Sequence, residues 1–212
     1  PLNKADITSL LKASFNTEDS LEALAIRLHE ETDGVPLFLT EYIRYLITIQ
    51  HIQVQDGQLN LLTPPNKIAK LPLEVPPSIR ELARNHYQTL SPIEQSIMSM
   101  MATLARESDY DFLLDLLCEN TEDEEKHIEA IAKLSSSGML LARNIGITQL
   151  IRIERQKIAD VIYEDLGNVV RVQKHIRIAE VLEKQYQTSK DLTLCQQIGE
   201  HYRRAEKPDF AY

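Results

Sequence analysis

The sequence predicts a mainly α-helical protein made of a small helical subdomain, a β-hairpin linker, a winged-helix domain and the start of a helical repeat. Apolar residues recur at helical spacing through most of the 212-residue chain. The spacing changes to alternation at 52–61, and two further strands are predicted at 139–143 and 148–153. With 43% hydrophobic residues, the chain has enough apolar material for real cores.

Composition disfavours several functional classes. The net charge of −9 argues against broad electrostatic binding to nucleic acid or to anionic membranes. The two cysteines, Cys118 and Cys195, are too few for a disulfide framework and lack metal-ligand spacing. No apolar run reaches the roughly 20 residues that span a bilayer, and no signal peptide is visible. We therefore expect a cytoplasmic fragment of a longer protein, since the chain starts at Pro1.

Residues 1–50 are predicted to form a subdomain of three helices. Apolar residues at helical spacing mark the three faces, and they are Ile7, Leu10 and Leu11, then Leu21, Leu24, Ala25 and Leu28, then Leu39, Ile43 and Leu46. Asp6 is the expected cap of the first helix. Pro36 suits the first turn of the third helix, because its missing N–H would have no partner there. Either Thr32 or Asp33 could cap that third helix.

Residues 51–74 are predicted to form a β-hairpin followed by a proline-rich linker. Apolar and polar residues alternate on both sides of Asp56-Gly57, a dipeptide suited to a type I′ turn. Pro64-Pro65 and Leu71-Pro72-Leu73 should make the following connection stiff and extended, because proline disfavours helix in the residue before it. We expect a domain boundary in this linker.

Residues 75–167 have the element order of a winged helix. Capping boxes at Ser78-Glu81 and Ser91-Glu94 predict the starts of two helices, at about 78–89 and 92–106. The elements expected after them are a helix at 111–117, a helix capped by Thr121 with Glu124 and ending near Ser137-Gly138, strands at 139–143 and 148–153, and a helix from near Arg155 that carries Ile158, Val161, Ile162 and Leu166.

Winged helices often read DNA, with the helix before the strands in the major groove. Between residues 122 and 138 this helix carries five carboxylates against two lysines. DNA phosphates would repel such a face, because phosphate contacts normally require Lys and Arg. We therefore predict no nucleic-acid partner, and a spacer or protein-contact role for this domain.

Residues 168–212 are predicted to begin a helical repeat array. Helices are expected at 172–186, with Ile176, Ala179, Val181 and Leu182 on one face, and at 194–204. Gly199 followed by Tyr202 resembles the first helix of a tetratricopeptide unit, and Ala205, Pro208 and Ala211 continue the likeness. Because one such unit cannot bury its face alone, further repeats and protein partners are expected.

No catalytic motif occurs. The chain has no phosphate loop, zinc-binding helix, nucleophile elbow or dinucleotide glycine fingerprint. The six histidines are scattered, and each is interpreted as a surface or packing residue: His29, His51, His86, His127, His175 and His201. We predict no catalytic residue and no metal ligand, and no enzyme activity for this chain by itself.

The string from Thr32 to Leu39, TDGVPLFL, is followed by the hairpin, the helices to residue 105 and the string VIYEDL at 161–166. In this order the chain resembles, over nearly its whole length, the STAND class of AAA-related signal-transduction ATPases, which includes LuxR-type activators and proteins fused to cyclases or kinases. The resemblance implies that residues 1–50 are the helical lid subdomain behind a phosphate-loop core, with Gly34 and Pro36 in it and the proline near the adenine. It also implies a histidine at the phosphates after the wing. Arg155 occupies that position here, and arginine is a competent phosphate partner.

The resemblance implies a regulatory function. The chain would couple the nucleotide state of an upstream P-loop domain to downstream sensor or partner-binding repeats. ATP or ADP would be the cofactor of the full-length ATPase, whereas this chain alone is expected to bind neither tightly. The alternative is a helical protein-interaction scaffold that never contacts a nucleotide, with TDGVP acting only as a helix boundary.

Overall fold

The computed structural model describes residues 1–14, 21–118 and 121–206, and of residues 121, 122 and 206 the backbone alone. The predicted mainly α-helical class is confirmed. The chain divides into two compact units, Pro1–Leu82 and Ala83–Tyr212. Within the described residues, no helix combines the length and the apolar character needed to cross a membrane.

The first unit packs three helices, a hairpin and a short helical turn around one core. Its elements are α1 (Lys4–Ser14), α2 (Glu22–Thr32), α3 (Pro36–Thr48), β1 (Ile52–Gln55), β2 (Gln58–Leu61), α4 (Pro65–Ile68) and the start of α5 (Pro77–Thr89). Its fully buried large side chains are Ile7, Leu11, Leu21, Leu24, Leu28, Phe38, Leu39, Tyr42, Leu46, Ile52, Leu59 and Ile68. The predicted stripe on α2 is therefore confirmed.

The second unit continues α5 and adds helices around a three-stranded sheet. Its elements are α6 (Pro92–Leu104), β3 (Ser108–Asp109), α7 (Tyr110–Leu117), α8 (Thr121–Ser136), β4 (Leu140–Ile145), β5 (Thr148–Ile153), α9 (Gln156–Asp165), α10 (Asn168–Ser189) and α11 (Thr193–Glu206). The sheet is antiparallel with strand order β3-β5-β4, and Ile145 pairs with Thr148 beside the turn. Strand β3, which pairs Ser108 with Ile151, was not predicted, because two residues are too short to show alternation.

The cap of α1 differs from the prediction. Asn3, not Asp6, is the capping residue, because its side-chain oxygen accepts from the Asp6 N–H at 2.9 Å. The Asp6 carboxylate accepts in return from the Asn3 N–H at 3.0 Å, which makes a reciprocal pair like a capping box. Leu10 is 42% exposed and lies outside the core, so α1 buries a narrower face than expected. The sequence predicts that this helix extends to Phe15, which lies outside the described residues.

The hairpin confirms its predicted turn. Gln55 pairs with Gln58 across Asp56 and Gly57. Both turn residues have positive φ, 54° and 76°, as a type I′ turn requires. One face of the hairpin is buried through Ile52 and Leu59.

The linker is less extended than predicted. Pro65 begins a single helical turn, α4, and Ile68 of that turn is buried. Arg27 on α2 donates to the carbonyl of Leu71 at 2.9 Å and forms an ion pair with Glu31. The same Glu31 carboxylate accepts from the Tyr42 hydroxyl at 3.3 Å. This polar network holds the linker against the helices, so the proline-rich stretch belongs to the first unit.

Of the two predicted capping boxes, one forms. The Ser91 N–H donates to the Glu94 carboxylate at 2.7 Å, and the Glu94 N–H donates to the Ser91 hydroxyl at 3.4 Å. Ser78, in contrast, lies inside α5, which begins at Pro77. Its hydroxyl donates to Glu41 at 2.6 Å. The prediction for Ser78 is wrong because a proline suits the first helical position and starts the helix one residue earlier.

In the second unit, the end of α6 differs from the prediction and the end of α8 agrees with it. Helix α6 stops at Leu104, before Arg106, because Ala105 takes the left-handed conformation with φ 53°. Helix α8 ends at Ser136, and Gly138 has the positive φ of 72° expected for a helix stop. The proposed cap by Thr121 involves a side chain outside the described residues.

The C-terminal helices form an antiparallel pair that is longer than predicted. Helix α10 starts at Asn168 rather than at 172, and α11 extends to Glu206. Ile176 is 36% exposed, whereas His175 and Ile178 are fully buried, so the apolar face of α10 is rotated from the predicted one. Pro208 and Ala211 lie outside the described residues.

Candidate functional site

Gly34 lies in the tight turn between α2 and α3, where the main chain allows no side chain. Its φ is +70°, a conformation that favours glycine. A Cβ at this position would lie 2.0 Å from the carbonyl oxygen of Leu2. The Leu2 N–H donates to the Gly34 carbonyl at 2.7 Å, which fixes the start of the chain against the turn. Backbone geometry alone therefore requires glycine at position 34.

Thr32 and Asp33 end α2 and do not cap α3, so that prediction is wrong. Asp33 has φ 49° and its N–H donates to the carbonyl of His29. The Thr32 hydroxyl donates to the carbonyl of Leu28 at 2.6 Å and accepts from the Gly34 N–H at 3.2 Å. The capping position of α3 is Val35, which makes no side-chain cap. Two consecutive residues with positive φ end α2 before the new helix begins.

Pro36 lies in the first turn of α3, as predicted. Its ring is exposed, and the neighbouring Leu37 is 54% exposed. Phe38 and Leu39, which follow directly, point into the core. The turn therefore presents an apolar pair, Pro36 and Leu37, that the core of the first unit does not cover.

Arg155 lies in the second unit at the capping position of α9, with extended backbone and no side-chain cap. It lines a cavity of about 120 Å³ together with Gly138, Glu154, Ile158 and others. At about 30 Å³ a water, this space holds on the order of four waters. It suits a small anion and is too small for a whole nucleotide, whose sites are typically about 300–1,000 Å³.

The electrostatics of this cavity are mixed. The positive end of the α9 dipole and the guanidinium of Arg155 favour an anion. The carboxylate of Glu154 shares the lining and opposes one. Gly34 and Pro36 lie next to one another in the first unit, whereas Arg155 belongs to the second.

Sequence inspection missed a buried histidine pair. His175 on α10 and His201 on α11 are 0% and 7% exposed, and their Nδ1 atoms are 2.9 Å apart. The hydroxyl of Tyr163 on α9 lies 2.9 Å from Nε2 of His175. The spacing of His175 to Ile178 and Leu182, three and seven residues on, places it on the buried stripe and was the available signal.

The comparisons with known proteins add no relative. No protein-family model, no curated protein and no solved structure matches this chain. Across residues 1–14, 21–118 and 121–206, no three His, Cys, Asp or Glu side chains are grouped so as to hold a metal ion.

Proposed function

We propose that this chain is the lid, winged-helix and first-repeat portion of a STAND-class signal-transduction ATPase. It would transmit the nucleotide state of an upstream P-loop domain to downstream sensor or partner-binding repeats, in the cytoplasm. The observation that carries the proposal is the exposed apolar pair, Pro36 and Leu37, directly after the turn that Leu2 fixes.

The argument from this turn has two steps. Gly34 is fully explained by backbone geometry, so it carries no functional weight by itself. Pro36 and Leu37 are not used by the core, and an exposed apolar pair can pack against the flat face of a base. Because Leu2 bonds to Gly34, a segment preceding Pro1 would enter beside this pair. An upstream phosphate-loop domain would then supply the rest of the ATP or ADP site.

Arg155 is proposed as the second contact. It lies at the N-terminal end of α9 beside a space of anion size. Arginine can bind phosphate oxygens with two parallel hydrogen bonds, which a neutral histidine cannot. In the nucleotide-bound state Arg155 would hold the second unit to the phosphates and release it after hydrolysis or exchange.

The first test is Pro36→Ala in the full-length ATPase. Loss of apolar contact with the adenine should weaken nucleotide binding by about 1 kcal/mol, roughly fivefold. The measurement is nucleotide affinity by calorimetry, beside a thermal melt that detects misfolding. Pro65→Ala is the matched control, because Pro65 is also exposed and also starts a helix. An unchanged affinity would return TDGVP to the role of a helix boundary.

The second test is Arg155→Ala in the same protein. A charge-assisted contact of this kind typically contributes about 1.5–3 kcal/mol, so affinity should fall by at least tenfold. Arg152→Ala, an exposed arginine on β5, is the control and should bind normally. If both Pro36→Ala and Arg155→Ala bind nucleotide like the wild type, the helical scaffold is the better function.

A further inference from the structure

Three aromatic rings connect three helices of the second unit. Tyr163 on α9, His175 on α10 and His201 on α11 form a chain of two hydrogen bonds, each 2.9 Å long. The Tyr163 and His175 rings meet edge-on, with centroids 5.9 Å apart, and the two imidazoles are 5.1 Å apart. Both histidines are buried, so water cannot replace either bond without movement of a helix.

The bond between the two imidazoles limits how many protons the pair can hold. A hydrogen bond between two ring nitrogens needs one N–H and one lone pair. A neutral imidazole has one of each, whereas an imidazolium has two N–H groups and no lone pair on nitrogen. With both histidines ionised, two N–H groups would face each other at 2.9 Å. The contact therefore survives one added proton and not two.

The surroundings disfavour even the first proton. The charged side chains that act on the pair are Arg171 on α10, Glu200 and Arg204 on α11, and Arg106 after α6. The Arg171 guanidinium lies over the Tyr163 ring, 5.6 Å from its centroid, and its Nε has no hydrogen-bond partner. Helix α7 also packs on α10. The contact there is made by backbone carbonyls of α7, which accept hydrogen bonds from Arg177 on α10.

Burial is the main reason that both histidines stay neutral. It lowers the pKa of His175 to about 3, assisted by His201 and Arg204 and opposed by Glu200. Burial likewise lowers the pKa of His201 to about 4, assisted by Arg106 and Arg204. A released histidine would titrate near its usual value of about 6.5.

We propose that Tyr163, His175 and His201 form an acid-sensitive latch, in which His175, itself bonded to Tyr163 of α9, holds α11 against α10 at neutral pH and releases it when both histidines take up protons. The open state binds more protons than the closed state below about pH 6.5, so acid favours opening. Opening becomes about tenfold more favourable for each pH unit and each histidine, down to the pKa values of the closed state.

The experiment is hydrogen–deuterium exchange on the 212-residue chain at pH 7.5 and 5.0, corrected for intrinsic exchange rates. Peptides from α11 should lose protection by at least tenfold at pH 5.0, while peptides from α6 keep theirs. His201→Asn keeps a hydrogen-bonding group near the Nδ1 position but cannot ionise at position 201. Its α11 peptides should therefore lose at least tenfold less protection at pH 5.0 than those of the wild type. His127→Gln, outside the latch, should respond like the wild type. An equal loss in His201→Asn and in the wild type would overturn the latch.

A second measurement does not depend on any variant. The ring signals of the wild-type histidines can be followed by NMR between pH 8 and 5. His175 and His201 should show no titration near pH 6.5 while α11 remains protected. If either ring takes up a proton near pH 6.5 with α11 still closed, the pair is not a latch.

Discussion

At the scale of single residues, the residue type at one position can be explained both by the backbone and by the proposed nucleotide site. Gly34 belongs to the TDGVP string on which the ATPase proposal rests, yet its φ and the nearby Leu2 main chain already require glycine. Pro36 starts a helix, yet it is exposed next to an exposed Leu37. The nucleotide hypothesis therefore depends on Pro36 and Arg155, while Gly34 supplies only the backbone shape of the turn that places Pro36 at the start of α3.

Gly34→Ala should destabilise the first unit by about 2–4 kcal/mol. About 1 kcal/mol comes from forcing a side chain into positive φ, and the rest from displacing the Leu2 main chain. Gly57→Ala is the matched control, because Gly57 has φ +76° but nothing within 4 Å of its Cβ position. That control should lose only about 1 kcal/mol in urea unfolding. Equal losses for the two variants would mean that Leu2 does not press on Gly34.

At the helix ends, the hydrogen bonds show which of two similar sequence patterns forms a capping box. Ser78-Glu81 and Ser91-Glu94 have the same spacing, but a proline before Ser78 moves that residue into the helix. Strand β3 was not predicted, because its two residues take their extended conformation only by pairing with β5. The local pattern identifies where a helix lies more securely than it identifies the first residue.

Ser91→Ala should cost about 1 kcal/mol, because it removes the side chain that accepts from the Glu94 N–H at the start of α6. Ser78→Ala is the control with the same spacing and no capping role; it removes only an exposed hydrogen bond to Glu41, so its loss should stay below about 0.5 kcal/mol. The measurement is the free energy of unfolding of both variants in urea. If Ser91→Ala loses no more than Ser78→Ala, the Ser91 hydroxyl does not stabilise the start of α6.

At the scale of the whole molecule, the free energy of unfolding should depend on pH through carboxylates whose pKa the fold lowers. Glu94 on α6 is 3% exposed and its carboxylate lies 2.9 Å from Nζ of Lys133 on α8. Hydrogen bonds from Lys133 and from the Ser91 N–H lower the pKa of Glu94 to about 2. A carboxylate with a lowered pKa stabilises the fold above about pH 4.5, and that contribution is lost as the pH falls toward 2.

Glu94→Gln should therefore reduce the free energy of unfolding at pH 7 and make its decline between pH 4.5 and 2 shallower. The ion pair of the buried Glu94 with the exposed Lys133 and the capping bond are both weakened, because a neutral amide replaces the carboxylate. Urea unfolding at several pH values is the measurement. Glu129→Gln, which changes an exposed carboxylate on α8, should leave the profile as in the wild type. A parallel decline in Glu94→Gln and wild type would contradict the assignment.

The sequence by itself determined the mainly helical class, the hairpin turn at Asp56-Gly57 and the capping box at Ser91, because these depend on neighbours within a few residues. It also pointed to Gly34, Pro36 and Arg155, although their nucleotide role stays a prediction. Only the tertiary structure decided what contacts them. The Leu2 N–H bonds to the Gly34 carbonyl although two helices lie between them in the chain. His175 contacts His201, which follows it by 26 residues. Such contacts arise when helices pack, and no local periodicity records which residues will then face each other.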